Sequence, residues 1–303
     1  MMKLLRTPQD RFENLPDYPF TPHYVTINDR WEQVEIRIHM IDEGEADAPV
    51  VLMLHGEPSW SFLYRKMVPL FTGAGYRVLV PDLPGFGKSD KPSERGDYSY
   101  ARHVAWMQDW LRALDLRDII LICQDWGGLI GMRLVADEPH LFARVVTTNT
   151  MLPTGDHAAG DAFMQWQKFS QETPVFPTGQ IVNKGTVSGL SEEETAAYDA
   201  PFPDESYKEG ARQFPLLVPT TPDNPESQAN REAWKVLMGF EKPWLCAFGD
   251  SDPITGAAAP VIQKLIPGCQ GQPHTTLRGG GHFIQEDCGE ELSRVVLDWL
   301  QTS

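Results

Sequence analysis

The chain reads as an α/β protein built on a mostly parallel sheet, and three observations carry that reading. Short apolar, β-branched runs recur along it at Val50 to Leu54, Tyr76 to Val80, Ile119 to Cys123, Val145 to Thr148, Trp244 to Phe248 and Thr275 to Leu277. Stretches of helical spacing fill the gaps, and such alternation signals parallel strands joined by crossover helices. The 303 residues suffice for one large core with an insertion.

Ahead of these runs, Val34, Ile36, Ile38 and Met40 alternate along Val34 to Ile41, the pattern of an antiparallel edge strand with one solvated face. Helices are expected at Ser59 to Phe71, Tyr100 to Leu114, Trp126 to Ala136, Ala257 to Leu265 and Glu290 to Leu300. In the last of these, Leu292, Val295, Val296 and Trp299 form a core-facing stripe. The rhythm breaks after Met151, where only Phe163 to Phe169 and Ser191 to Tyr198 look helical. Pro174, Pro177, Pro201, Pro203, Pro215, Pro219, Pro222 and Pro225 predict short helices and long connections there. Residues 1–150 and 231–303 are therefore expected to form the core, and residues 151–230 a helical cap inserted between two core strands.

Composition narrows the partners. With 26 Lys plus Arg against 42 Asp plus Glu, the net charge of −16 repels polyphosphate backbones, so nucleic acid is not an expected partner. Surplus carboxylates serve solubility. No window approaches the roughly 20 apolar residues that span a bilayer. The segment from Met1 to Asp10 has a basic start but no sustained apolar run and no small-residue cleavage site, which predicts a cytoplasmic protein. Cys123, Cys246, Cys269 and Cys288 lie far apart, without zinc-ligand spacing or a disulfide framework, and read as free thiols. The sequence requires no oligomer and is compatible with a monomer.

The chemistry concentrates around Ile119-Ile120-Leu121-Ile122-Cys123-Gln124-Asp125-Trp126-Gly127-Gly128, a buried strand entering a tight turn and then a helix. This is the setting of a nucleophile elbow, the hallmark of the α/β-hydrolase fold with its eight-stranded sheet. Serine hydrolases carry Ser where this chain carries Asp125, and that changes the reaction class. A carboxylate is ionised near neutral pH and attacks an sp³ carbon without a base, giving an alkyl ester. The alternative is that Asp125 merely caps the following helix.

Three further groups fit the nucleophilic reading. His282, in Gly279-Gly280-Gly281-His282-Phe283, follows the last strand run and suits a base that titrates near working pH and activates water against the ester. Asp252, in Gly249-Asp250-Ser251-Asp252-Pro253, would orient that imidazole. The order Asp125, Asp252, His282 is that of nucleophile, acid and histidine in this fold. Asp250 is the rival acid, with a ready turn-forming role. After the run Val145 to Thr148, the alternative place for the acid, stands Asn149, which carries no charge. His55-Gly56-Glu57-Pro58-Ser59-Trp60 is placed to offer an oxyanion donor, assigned to the N–H groups of Glu57 and Trp126. No metal or organic cofactor is called for.

Together, HGEPSW, PDLPGFGKSDKP, CQDWGG, GDSDP and GGGHFIQED resemble the haloalkane dehalogenases over nearly the whole chain, specifically the subfamily with a second tryptophan in the cap. Asp-Trp at the elbow together with HGEP is the narrow part of the match. The resemblance implies hydrolysis of a small halogenated hydrocarbon by water to a primary alcohol, halide and a proton, through an ester on Asp125. It also implies a halide site made by the indole N–H groups of Trp126 and Trp166. Indole donates and never accepts, which suits a large anion in a dry site. By the same analogy Phe163, Phe214, Pro215, Val218 and Ile254 line an apolar cavity. An epoxide hydrolase, the nearest rival, would need cap tyrosines as proton donors, and the cap offers Tyr198 and Tyr207.

Overall fold

The computed structural model describes residues 2–302; Met1, the first residue of the N-terminal segment read above, and Ser303 lie outside the described residues. Eight strands form the central sheet: β1 (His23–Asn28), β2 (Glu35–Glu43), β3 (Val50–Leu54), β4 (Arg77–Pro81), β5 (Ile119–Gln124), β6 (Phe142–Thr148), β7 (Trp244–Gly249) and β8 (Thr275–Leu277). Their order across the sheet is β8-β7-β6-β5-β3-β4-β2-β1. Only β2 runs against its neighbours; the others are parallel.

β5 is buried along its whole length, as a strand covered on both faces must be. The segment expected at the edge lies one place inside it, since β2 pairs with both β1 and β4. The true edge is β1, whose sequence HYVTIN buries only Ile27 and so gives a weak apolar signal.

Helices α1 (Val68–Gly73), α2 (Tyr100–Ala113), α3 (Trp126–Asp137), α9 (Ala259–Leu265) and α10 (Ile284–Thr302, kinked at Cys288), named in chain order, connect the strands. The expected helix from Ser59 to Phe71 is divided into a 3₁₀ turn at Ser61–Tyr64 and α1. Pro69 has no N–H to give and fits only in the first turn of α1.

Between β6 and β7 lie α4 (Asp161–Glu172), α5 (Thr178–Lys184), α6 (Glu192–Asp199), α7 (Glu209–Leu217) and α8 (Ser227–Leu237). α6 opens with a capping box in which Ser191 and Glu194 satisfy each other's backbone N–H groups. The boundary expected at residue 230 falls inside α8, because Asn230, Ala233 and Leu237 form one buried face that continues the helix against α3.

A buried ionic cluster ties α6 to the sheet side. Glu286, in α10, accepts from Arg65 (3.0 Å), Lys66 (2.8 Å) and the Tyr198 hydroxyl of α6. Arg65 also reaches Glu194 at 2.6 Å. Among the described residues no helix is long and apolar enough to cross a membrane, and no cluster of His, Cys, Asp and Glu is arranged to hold a metal ion.

Candidate active site

Parallel strands present their carboxyl ends along one edge, and the candidate residues follow those ends: Glu57 after β3, Asp125 after β5, Asn149 after β6, Asp252 after β7 and His282 after β8. Because β5 lies beside β3, Asp125 and Glu57 are neighbours in space despite lying 68 positions apart, and the Glu57 N–H donates to Asp125 Oδ1 at 2.8 Å.

Asp125 has φ 50° and ψ −126°, a conformation unfavourable for a residue with a Cβ and the geometry of a sharp elbow. The turn closes only with small neighbours. A side chain at Gly56 would strike Asp125, and one at Gly127 would strike the Leu54 carbonyl. The Asp125 carboxylate makes no capping bond to α3, which leaves it free to face the cavity.

His282 lies between two carboxylates. Its Nδ1 is 3.1 and 3.2 Å from the Asp252 oxygens, and its Nε2 is 3.4 Å from Asp125 Oδ2. Burial works against the imidazolium, yet the Asp252 and Asp125 charges raise its pKa to about 10. Pairing with two carboxylates thus favours the charged imidazole in the resting site. For Asp252, burial opposes ionisation, but His282 and hydrogen bonds from Thr255 and Ile254 hold it at about 2. The rival Asp250 instead stitches its turn, accepting from Ser251 at 2.8 Å and the Gly279 N–H at 2.9 Å.

A cavity of about 680 Å³ stands over Asp125 and His282 and is lined by both Trp126 and Trp166. Among the described residues, neither indole N–H has a hydrogen-bond partner, although Trp60, Trp106, Trp234, Trp244 and Trp299 all use theirs. Trp126 packs against Tyr100 and Phe214, and Trp166 against Phe169 and Phe176. The Trp126 backbone N–H, unlike that of Glu57, makes no bond to the Asp125 carboxylate.

Phe163, Pro215, Val218 and Ile254 line the cavity as expected, and Phe214 does not. Phe214 is fully buried behind Trp126, with ring centroids 4.6 Å apart, and also meets His103 at 4.6 Å and Phe86 at 4.8 Å. It supports an indole from the rear. Neither Tyr198 nor Tyr207 lines the cavity, and among the described residues no tyrosine or arginine does. The Tyr198 hydroxyl is committed to Glu286.

Glu57 contributes more than an N–H. Its side chain lines the cavity, and its Oε1 is buried without a hydrogen-bond partner. Burial pushes this carboxyl well above the ordinary carboxylate range and the Asp125 charge adds to the push, against His282. Both effects favour the neutral form over a second negative charge beside Asp125.

Sequence reasoning missed Asn149 as anything but a non-acid, and missed Gln124 and Thr255. Asn149 Nδ2 donates to the carbonyls of Gly281 at 2.6 Å and His282 at 3.2 Å, and Gln124 Nε2 donates to the His282 carbonyl at 3.0 Å. The roles of Asn149 and Gln124 arise from contacts across the sheet edge and leave no local signal, whereas Thr255 acts on Asp252 three positions before it.

Comparison with known proteins places this geometry. The family model for the alpha/beta hydrolase fold matches residues 49–287. The chain is 59% identical over 299 residues to a haloalkane dehalogenase of Psychrobacter cryohalolentis, covering 99% of this chain and 98% of that one. It is 51% identical to a haloalkane dehalogenase of Mycolicibacterium paratuberculosis, covering 99% of each. Among solved structures, the tetrameric haloalkane dehalogenase DpaA from Paraglaciecola agarilytica NO2 is similar with a TM-score of 0.89 at 36% identity, covering 96% of this chain and 97% of that chain.

Proposed function

The chain belongs to the haloalkane dehalogenases of the α/β-hydrolase fold, and from that premise we propose how its own residues hydrolyse a carbon–halogen bond. Asp125 attacks the halogen-bearing carbon, the carbon–halogen bond breaks with its electron pair leaving on the halide, and an alkyl ester forms on Asp125. The Trp126 and Trp166 indole N–H groups, unpartnered and lining a largely apolar cavity, receive the halide.

Ester formation neutralises Asp125, so His282 loses one of the two charges that hold its proton. It releases that proton to solvent, the net proton of the reaction, and becomes a base. Neutral His282 then takes a proton from water, and the hydroxide adds to the ester carbonyl while the Glu57 N–H stabilises the oxyanion. We assign the Trp126 N–H as second donor, engaged once the ester carbonyl replaces the resting carboxylate. Collapse expels the alkoxide, which takes the proton of the newly added hydroxyl to leave as the alcohol, so Asp125 returns to its carboxylate while His282 keeps the proton it took from water. Asp252 orients the imidazole throughout.

The observation that carries this reading is an aspartate at the elbow, uncommitted to its helix, facing two unpartnered indoles. Residues 151–230 act as the cap that closes the cavity, with Phe163, Pro215, Val218 and Ile254 receiving the substrate hydrocarbon. We place the enzyme in the cytoplasm, in keeping with four unpaired cysteines, acting on small molecules and not on nucleic acid. Halide release from bromobutane, set against diol formation from the matching epoxide, tests the assignment. Diol without halide would establish the epoxide chemistry instead.

A further inference from the structure

A second cavity, of about 420 Å³, adjoins the first at the amino-terminal end of α4, and Met151, Phe163, Val218 and Ile254 line both. This chamber is mainly apolar, with Leu152, Trp234 and Leu265 among its walls, and Thr154, His157 and Thr220 also line it. Its frame is hydrogen-bonded: Trp234 Nε1 donates to the Leu152 carbonyl at 2.8 Å, and Asn230 Nδ2 to the Pro153 carbonyl at 2.7 Å. Ile254, part of the dividing wall, is anchored through its N–H to Asp252 at 2.9 Å.

Phe163 is the aromatic part of that wall. Trp126 and Trp166 each pack against two aromatic rings, whereas Phe163 has no ring partner among the described residues. It lies in the first turn of α4 behind Gly160, which offers no side-chain cap. Ala159 and Gly160 leave room beside it.

We propose that the second chamber is a subsite for the distal hydrocarbon of longer haloalkanes, with Phe163 as the movable partition that determines chain-length specificity. The proposal rests on the dehalogenase reading above. At the other end of the main cavity stand Gln180, Thr186 and the exposed Lys184, so a chain running that way meets polar groups and water. A chain passing Phe163 instead meets mainly apolar walls. Each methylene transferred from water to such a site favours binding by roughly fourfold.

The test is the ratio of kcat/KM for bromodecane to that for bromobutane, read as halide release. Ala159→Trp and Thr220→Trp fill the chamber from two separate segments, and each is expected to lower the ratio about fifteenfold, the worth of roughly two methylenes. Phe163→Ala, which joins the two cavities, is expected to raise it. A ratio that keeps its parental value in either filling variant overturns the subsite. No halide release by the parent from either substrate would overturn the dehalogenase reading itself, so the two failures are distinguishable.

Discussion

The backbone carbonyl of Asn149 accepts the N–H of Asp125 at 2.9 Å, while the side chain of the same asparagine donates to the carbonyl of Gly281 at 2.6 Å. One residue thus fixes the elbow and the histidine loop to each other. Its Oδ1 also accepts the Gly249 N–H at 2.8 Å, at the root of the loop that carries Asp252.

Asn149→Ala should therefore loosen the histidine loop and the loop that carries Asp252, while the backbone bond to the elbow stays. The Gly281 carbonyl and the Gly249 N–H lose their partner in a buried place, the His282 carbonyl keeping Gln124, and each such loss costs about 1–3 kcal/mol. The expected outcome is a lower denaturant midpoint together with slower ester hydrolysis in single-turnover measurements. An unchanged hydrolysis rate would show that the loops hold their alignment without Asn149.

His282→Phe separates the two chemical steps. Alkylation needs only the carboxylate, so it should survive, whereas hydrolysis should fall by roughly 10²- to 10⁴-fold with the base removed. Intact mass spectrometry after addition of bromobutane should show the protein heavier by one butyl group. No adduct, despite a halide burst in the parent, would remove Asp125 or His282 from its assigned role.

Trp166→Phe keeps the ring and deletes the donor. A hydrogen bond to an ion contributes about 1.5–3 kcal/mol, so halide should bind roughly 10- to 100-fold more weakly, with slower carbon–halogen cleavage. Chloride and bromide quenching of tryptophan fluorescence measures the first and the halide burst the second. If neither changes, the Trp166 side chain serves only to pack α4 against Phe169 and Phe176.

Glu286→Gln tests how the α6 region is held. Arg65 is 1% exposed, and with Glu286 neutralised the buried guanidinium keeps only the partly exposed Glu194 as a charged partner. Breaking a buried pair outright by changing one partner costs about 3–5 kcal/mol, and the remaining Glu194 pair should reduce that loss. A fall in unfolding free energy below that range is expected, and a melting temperature equal to the parent's would show that Lys66, Tyr198 and Glu194 do not depend on it.

Much of this was legible in the sequence because the signals are local. β5 is a continuous apolar run, the elbow needs small residues next to Asp125, and Asp252 and His282 each follow a strand run. The cavity wall was less legible. Phe214 and Phe163 carry the same side chain in adjacent cap helices, and only packing decides that one backs Trp126 while the other faces substrate. Edge strand β1 escaped because an edge buries few side chains, and Asn149 because its side-chain partners lie a hundred or more positions away.

The pH dependence follows from the same cluster. His282 has its pKa raised to about 10 in the folded protein, so its pairing with carboxylates stabilises the fold fully below the unfolded imidazole value of about 6.5 and is lost as pH rises through about 10. Asp252, lowered to about 2, contributes stability above its ordinary value and loses it as pH falls through about 2. The two shifts describe one shared interaction and are not summed. Asp252→Asn should accordingly melt below the parent by the widest margin between about pH 4 and 6.5, and the margin should narrow toward pH 10. Catalysis adds a second signature. Alkylation of Asp125 removes one of the charges holding the imidazole proton, so the hydrolysis step should titrate at a lower pH than the resting enzyme. NMR titration of His282 gives the resting value, and single-turnover hydrolysis against pH gives the other. Equal values would mean that Asp125 does not set the charge of His282, and that the proton is released by another route.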